Sequence, residues 1–139
     1  MRALLIVVAV ALLDGEGRVL LAQRPEGKSL AGLWEFPGGK REANESLTAA
    51  LVRELHEELG IQVAESSLSP WHFASHAYPD FDLLMPVFIC TQWEGTPQGK
   101  EAQNLAWVSA DALTSYAMPA ADIPLLEPLA ELLGKTRLC

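Results

Sequence analysis

Glu54, Glu57 and Glu58 stand at i, i+3 and i+4 within GGKREANESLTAALVRELHEELGI, residues 38–61. If that stretch is helical, about 100° of rotation per residue gathers the three carboxylates on a strip about 40 to 60° wide. Like charges at this spacing repel one another, and folding alone does not ask for them. A hard divalent cation such as Mg²⁺ removes the conflict, because it takes oxygen ligands from a few carboxylates and from phosphates. The chemistry suggested is metal-assisted work on a phosphorylated molecule.

The element that must carry these groups is legible from its other side. Leu47, Ala50, Leu51 and Leu55 recur near the helical period, and Leu59 and Ile61 extend the apolar face. The spacing predicts a helix over residues 44–59, with Asn44 as N-cap and Gly60 at its stop. Leu47 stands where a capping box would place an acidic residue, so the cap is incomplete. Just upstream, Gly38-Gly39 after Pro37 permits a sharp backbone and close approach of a ligand to peptide groups.

The rest of the chain reads as support. The 139 residues fit one domain spanning 1–139. A net charge of -8 and a pI near 4.8 argue against a surface that holds nucleic acid, though not against a small phosphorylated substrate. Cys90 and Cys139 make neither a disulfide framework nor a zinc cluster, which fits a reduced, cytoplasmic chain. Asp14 stops the apolar run 3–13 far short of a membrane span, leaving a buried strand. Residues 2–13 and 18–24 then read as a hairpin about a turn at 14–17. Residues 33–36, 61–63, 68–76, 81–93 and 104–108 are extended, with a turn at 78–80. Pro86 in the long run suggests a bulge or an edge position. Residues 94–103 form a loop, 111–116 a helical turn and 124–133 a second helix. Two helices and five or six strands in mixed order imply an α/β fold, a mixed sheet sandwiched between helices.

Gly39, Glu45, Arg53-Glu54-Leu55, Glu57-Glu58 and Gly60-Ile61 together resemble the complete Nudix signature. Gln23-Arg24, Glu35-Phe36-Pro37-Gly38-Gly39-Lys40, Trp93-Glu94-Gly95, Gly99-Lys100-Glu101, Trp107 and the loop from Pro119 to Pro124 are similar to the MutT branch, which cleans oxidised nucleoside triphosphates from the pool. The resemblance implies hydrolysis of a nucleoside triphosphate to the monophosphate and pyrophosphate, by attack on the middle phosphorus. It implies Mg²⁺, with Mn²⁺ as the alternative ion, held by Glu57, Glu58 and Glu54 with the Gly38 carbonyl. Glu101 becomes a further metal ligand or base, and Arg53 the residue that orients a glutamate. Glu45 either steadies the loop or supplies a secondary ligand, and Glu42 is a further loop carboxylate. MutT-like boxes often have glycine where this chain has Asn44, and Asn tolerates left-handed geometry well.

Substrate contacts implied by the same resemblance are Arg24 and Lys40 toward phosphates, Phe36 and Asp80 in the pocket wall, and Asp122. Trp34 and Phe36 are expected on opposite sides of their strand, one in the core and one toward the pocket. A backbone carbonyl near Phe36 would favour an oxidised guanine, whose N7 carries a hydrogen. Asp122 departs from the pattern. Asn is common there, and its amide both donates and accepts, whereas a carboxylate only accepts unless protonated. The main expectation is hydrolysis of 8-oxo-dGTP, with dGTP weaker. The alternatives are another triphosphate such as CTP or dCTP, or a non-catalytic regulator, which would be expected to lose a metal-binding glutamate. No nucleic-acid or membrane partner is expected, and the chain is read as a monomer or homodimer. His56, His72 and His76 lack ligand spacing, and Trp71, Trp93 and Trp107 read as sheet or core aromatics.

Overall fold

The structure, a computed structural model, describes residues 2–138. The first apolar run forms β1 (Ala3–Leu12), whose alternate side chains serve two cores. Val8, Val10 and Leu12 meet Ala50, Leu51, Leu55 and Leu59 of α1 (Leu47–Leu59). Ala9 and Ala11 join the cluster that holds Leu129 and Leu133 of α2 (Leu126–Leu138). A strand covered on both faces needs no polar alternation, which is why residues 8–13 are apolar throughout.

The sheet is split in two. β1 lies between β4 (Gly38–Lys40), antiparallel, and β6 (Phe81–Cys90), parallel, and β5 (Ser69–Ala77) pairs along the outer side of β6. The second sheet is antiparallel, with β2 (Arg18–Gln23) between β3 (Trp34–Glu35) and β7 (Asn104–Ser109). The result is an α/β architecture of mixed β-sheet flanked by helices. The expected hairpin of residues 2–13 with 18–24 does not form. Both edges of β1 are occupied, so the turn led by Asp14 sends the chain into the other sheet, and only an isolated bridge between Leu13 and Val19 joins the two strands. Pro86 is not at an edge either. It lies inside β6, where the ladder to β1 pauses between the pairs Ile6–Leu84 and Ala9–Val87, so its missing N–H is not required there.

Helix α1 begins later than its sequence pattern suggests. Ser46, not Asn44, is the N-cap, its Oγ accepting the Ala49 N–H at 3.1 Å. Asn44 instead takes a left-handed φ of 69°, the geometry its side chain tolerates, in the turn that leads to Glu45. Leu51, Leu55 and Leu59 are fully buried, each stabilising the fold by roughly 1.5–3 kcal/mol relative to exposure. Gly60, at φ 71°, ends the helix with its N–H on the His56 carbonyl. α2 starts at Leu126 after a 3₁₀ turn over Ile123–Leu125 that includes Pro124, two residues later than expected. Among the described residues no helix is long and apolar enough to cross a membrane. Cys90 is buried with its Sγ on the Gln92 carbonyl, and Cys139 lies outside the described residues.

Candidate active site

Two glycines let β4 press between β1 and the acidic side of α1. A Cβ on Gly38 would stand 1.9 Å from the Val8 carbonyl oxygen, and one on Gly39 would stand 2.4 Å from the Glu54 carboxyl. No other residue fits either place without movement. Gly38 then meets the helix through its N–H, which donates to Glu58 Oε2 at 3.0 Å.

Arg53 ties the acidic groups together. Its Nε and one terminal nitrogen donate to the two Glu45 oxygens at 2.8 and 2.9 Å. The other terminal nitrogen donates to Glu54 at 2.9 Å and approaches Glu57 at 3.5 Å. A further bond reaches the Lys40 carbonyl at 3.2 Å. The fork geometry of the guanidinium makes this possible, since a lysine could not hold one carboxylate at two points while touching a second. Glu45 therefore steadies the loop: it also accepts the Glu42 N–H, and its acid is drawn down to about 2, chiefly by the Arg53 hydrogen bonds. Glu42 is exposed, 3.7 Å from Arg53.

The remaining carboxylates are poorly compensated. Burial pushes Glu58 up to about 8, reinforced by the negative charges of Glu54, Glu101 and Glu35 and opposed by the Gly38 N–H. Glu54 is raised too, mainly by burial, with Arg53 opposing and Glu57 and Glu101 adding to the rise. Glu57 is the more exposed member of the strip, and Glu101 stands exposed on the loop beyond the end of α1. Arg53 is already committed to Glu45 and Glu54. Among the described residues no three His, Cys, Asp or Glu side chains are arranged as a ready-made ion site. The donor set nonetheless suits a hard cation: oxygen-only, gathered, and carrying more negative charge than the neighbouring protein offsets.

A second acidic group lies toward β3. Arg24 Nε is 3.2 Å from Glu35, and burial raises the Glu35 acid against the pull of Arg24. Asp122 is 3% exposed and is pushed up to about 7 by burial, then by Glu35, with Arg24 opposing. Its backbone is fixed by its N–H on the Pro119 carbonyl and its carbonyl on the Leu125 N–H, both at 3.0 Å. Glu35 had no role in the sequence reading. The signal was a lone acid between Trp34 and Phe36, where an extended apolar piece has no use for one.

The other candidates are placed variously. Phe36 is buried in the α2-side core, and Trp34 packs against that same cluster, edge-on to Tyr116 at 5.1 Å. The two rings do not divide between core and pocket, because residues two apart on an extended segment share a face. Lys40 is exposed on β4, its carbonyl held by Arg53. Asp80 is exposed on the turn before β6, whose Pro79 and Phe81 carbonyls accept from Arg2. The structure thus brings Glu54, Glu57, Glu58, Arg53, Glu101 and Gly38 together, and places Arg24 with Asp122, without drawing in Lys40 or Asp80. His56 and His72 are exposed, and His76 lies against Tyr78. Trp71 packs on one core, while Trp93 and Trp107 stack at 6.0 Å on the other.

A glycine-gated carboxylate helix packed under a mixed sheet defines a class, and comparison with known proteins agrees. The NUDIX domain family matches residues 8–128, and the chain belongs to that family, in its MutT-like branch. It is 42% identical over 125 residues to the CTP pyrophosphohydrolase of Escherichia coli K12, covering 88% of this chain and 90% of the relative. It is 36% identical over 126 residues to the 8-oxo-dGTP diphosphatase of Haemophilus influenzae, covering 90% and 91%. The solution structure of the E. coli ORF135 protein superposes with a TM-score of 0.81 at 38% identity, covering 94% of this chain and 91% of that one. The chain is a Nudix hydrolase, a pyrophosphohydrolase of nucleoside triphosphates.

Proposed function

We propose that the chain hydrolyses a cytosine nucleoside triphosphate to the monophosphate and pyrophosphate. One observation carries the choice of base: the buried Asp122 carboxyl beside the Arg24–Glu35 pair, with its acid at about 7. Near neutral pH such a group is populated in both forms. Protonated, it offers an O–H and a carbonyl side by side, which matches the N3 acceptor and N4 amino donor on the Watson–Crick edge of cytosine. Uracil presents the reversed pair, which the same acid meets only with its proton on the other oxygen, so the choice between the two pyrimidines rests on which oxygen holds the proton. The likeness to a CTP pyrophosphohydrolase at 42% identity supports the same base.

Glu54, Glu57, Glu58 and Glu101, with the Gly38 carbonyl, would hold Mg²⁺ or Mn²⁺. Bound ions neutralise polyphosphate charge and stabilise the leaving group. Arg53 keeps Glu54 turned toward the site, and Gly39 leaves the space that carboxyl occupies. Besides its place among the ligands, Glu101 is the carboxylate we assign to accept the proton of the attacking water at the middle phosphorus. Arg24 supplies positive charge to an anionic substrate and Phe36 belongs to its surroundings, while the exposed Lys40 and Asp80 would meet it only when it binds.

The second reading is 8-oxo-dGTP, supported by the 8-oxo-dGTP diphosphatase relative. A protonated Asp122 could also donate to O6 and accept from N1–H of that base. Chromatography of monophosphate and pyrophosphate with Mg²⁺, for wild type and Asp122→Asn, separates the two. The cytosine reading expects the variant to reorder the bases more than it slows the best substrate. An unchanged order would remove Asp122 from base recognition.

A further inference from the structure

The segment that carries Glu101 is fastened to the end of α1 through that helix's own C-terminal carbonyls. Such carbonyls have no partner inside a helix and must find one outside it. The Gln98 N–H donates to the Leu59 carbonyl at 3.0 Å and the Lys100 N–H to the Glu58 carbonyl at 2.9 Å. One side chain completes the tie. Gln103 Nε2 donates to the same Glu58 carbonyl at 3.1 Å, while Gln103 Oε1 accepts the Glu101 N–H at 2.8 Å. A single amide thus joins the backbone of Glu58 to the backbone of Glu101, two residues whose carboxylates already influence each other.

The local backbone is bent to allow this. A Cβ on Gly99 would stand 2.1 Å from the Gln103 carbonyl oxygen, so the turn over 99–103 closes only around glycine. Ala102 takes a left-handed φ of 65°, which a residue with a Cβ adopts reluctantly. The neighbouring amide of Asn104 is spent on Gln23, at the foot of the same loop. Reversing the Gln103 amide would set its NH₂ against an N–H and its oxygen against a carbonyl, so only one orientation serves both ends.

We propose that Gln103 is a positioning residue: its carboxamide sets Glu101 against the carboxylates of α1, and substitution there acts on turnover through Glu101. This rests on the reading that places Glu101 in the hydrolytic site. Gln103→Met keeps the length of the side chain and loses both bonds. It is expected to lower kcat by about tenfold, with KM for the triphosphate within about twofold because both ends of the Gln103 amide are spent on backbone groups. Gln103→Glu keeps the acceptor for the Glu101 N–H and is expected to recover part of that loss.

The test is a double-substitution cycle with Glu101→Gln, read together with hydrogen exchange at the Glu101 amide. In the Glu101→Gln background, Gln103→Met should change kcat no further. Exchange at the Glu101 amide should quicken roughly fivefold in Gln103→Met, the value of one ordinary hydrogen bond, while amides of β1 keep their protection. Equal losses of kcat in both backgrounds, or an unchanged Glu101 amide, would overturn the proposal. If Glu101→Gln alone left turnover intact, the reading of Glu101 would fall and the catalytic role of Gln103 with it. The exchange measurement would then still decide whether Gln103 sets the loop.

Discussion

Replacing Asp122 with Asn should change the way stability depends on pH. An acid near 3.8 in the unfolded chain and at about 7 in the fold binds its proton more tightly when folded. The folded state then holds more protons between those values, so the contribution of Asp122 to stability is fully present below about pH 4. It is lost as pH rises through 7. The shift of about three units amounts to roughly 4 kcal/mol in all, at 1.36 kcal/mol per unit. Most of the measurable part, on the order of 2–3 kcal/mol, falls between pH 5 and pH 8. Asn is close in shape and does not titrate, so Asp122→Asn removes this loss. Glu54 and Glu58 are raised acids too and pull the same way in both proteins, while Glu35 is coupled to Asp122 by charge, so the difference between the proteins reports Asp122 together with its coupling to Glu35. Urea unfolding at pH 5, 6, 7 and 8 measures it. The variant should gain on wild type by about 2–3 kcal/mol across the series. A constant difference from pH 5 to pH 8 would refute a carboxyl titrating near neutrality in a buried place.

Other substitutions test the site and its supports. Glu57→Gln should leave the unfolding midpoint nearly unchanged at pH 7, and Glu58→Gln, which removes a buried acid raised to about 8, should raise it when no metal is present; both should lower kcat by at least about 100-fold, and normal turnover at saturating Mg²⁺ would sink the assignment. Gly39→Ala forces a Cβ into the Glu54 carboxyl, 2.4 Å away, and should lower kcat about tenfold or more without unfolding the protein at 25 °C, as circular dichroism can check. Ser46→Ala should cost about 1 kcal/mol in urea unfolding and leave KM unmoved, whereas Asn44→Gly should be neutral or stabilising; the opposite order would return the cap to Asn44.

How much of this could be read from the sequence follows from which interactions are local. The face of α1 was legible because helical periodicity fixes it, and Ala50, Leu51, Leu55, Leu59 and Ile61 are all buried as their spacing required. The gathering of Glu54, Glu57 and Glu58 followed from the same geometry. The N-cap was misplaced by two residues because Asn44 and Ser46 both suit that role, and the choice depends on where Glu45 must stand to meet Arg53. The false hairpin has a non-local cause: a short turn between apolar strands does not reveal that β4 and β6 already hold both edges of β1. Trp34 and Phe36 share one face because residues two apart on an extended segment point the same way, so the strand period separates Glu35 from both rings rather than one ring from the other. Glu35 enters the sequence reading only as part of the MutT-like stretch, without a role of its own, because its meaning depends on Arg24 and Asp122, 11 residues before and 87 residues after it in the chain.

The most direct test of the central claim is kcat/KM with Mg²⁺ for CTP, dCTP, UTP, 8-oxo-dGTP and dGTP, measured by release of pyrophosphate at pH 6.5. A cytosine triphosphate should lead UTP by at least about tenfold, the worth of one well-read base contact, and should lead 8-oxo-dGTP as well. A lead for 8-oxo-dGTP, or equal values for CTP and UTP, would contradict the reading of cytosine by Asp122 while leaving the hydrolytic carboxylates in place.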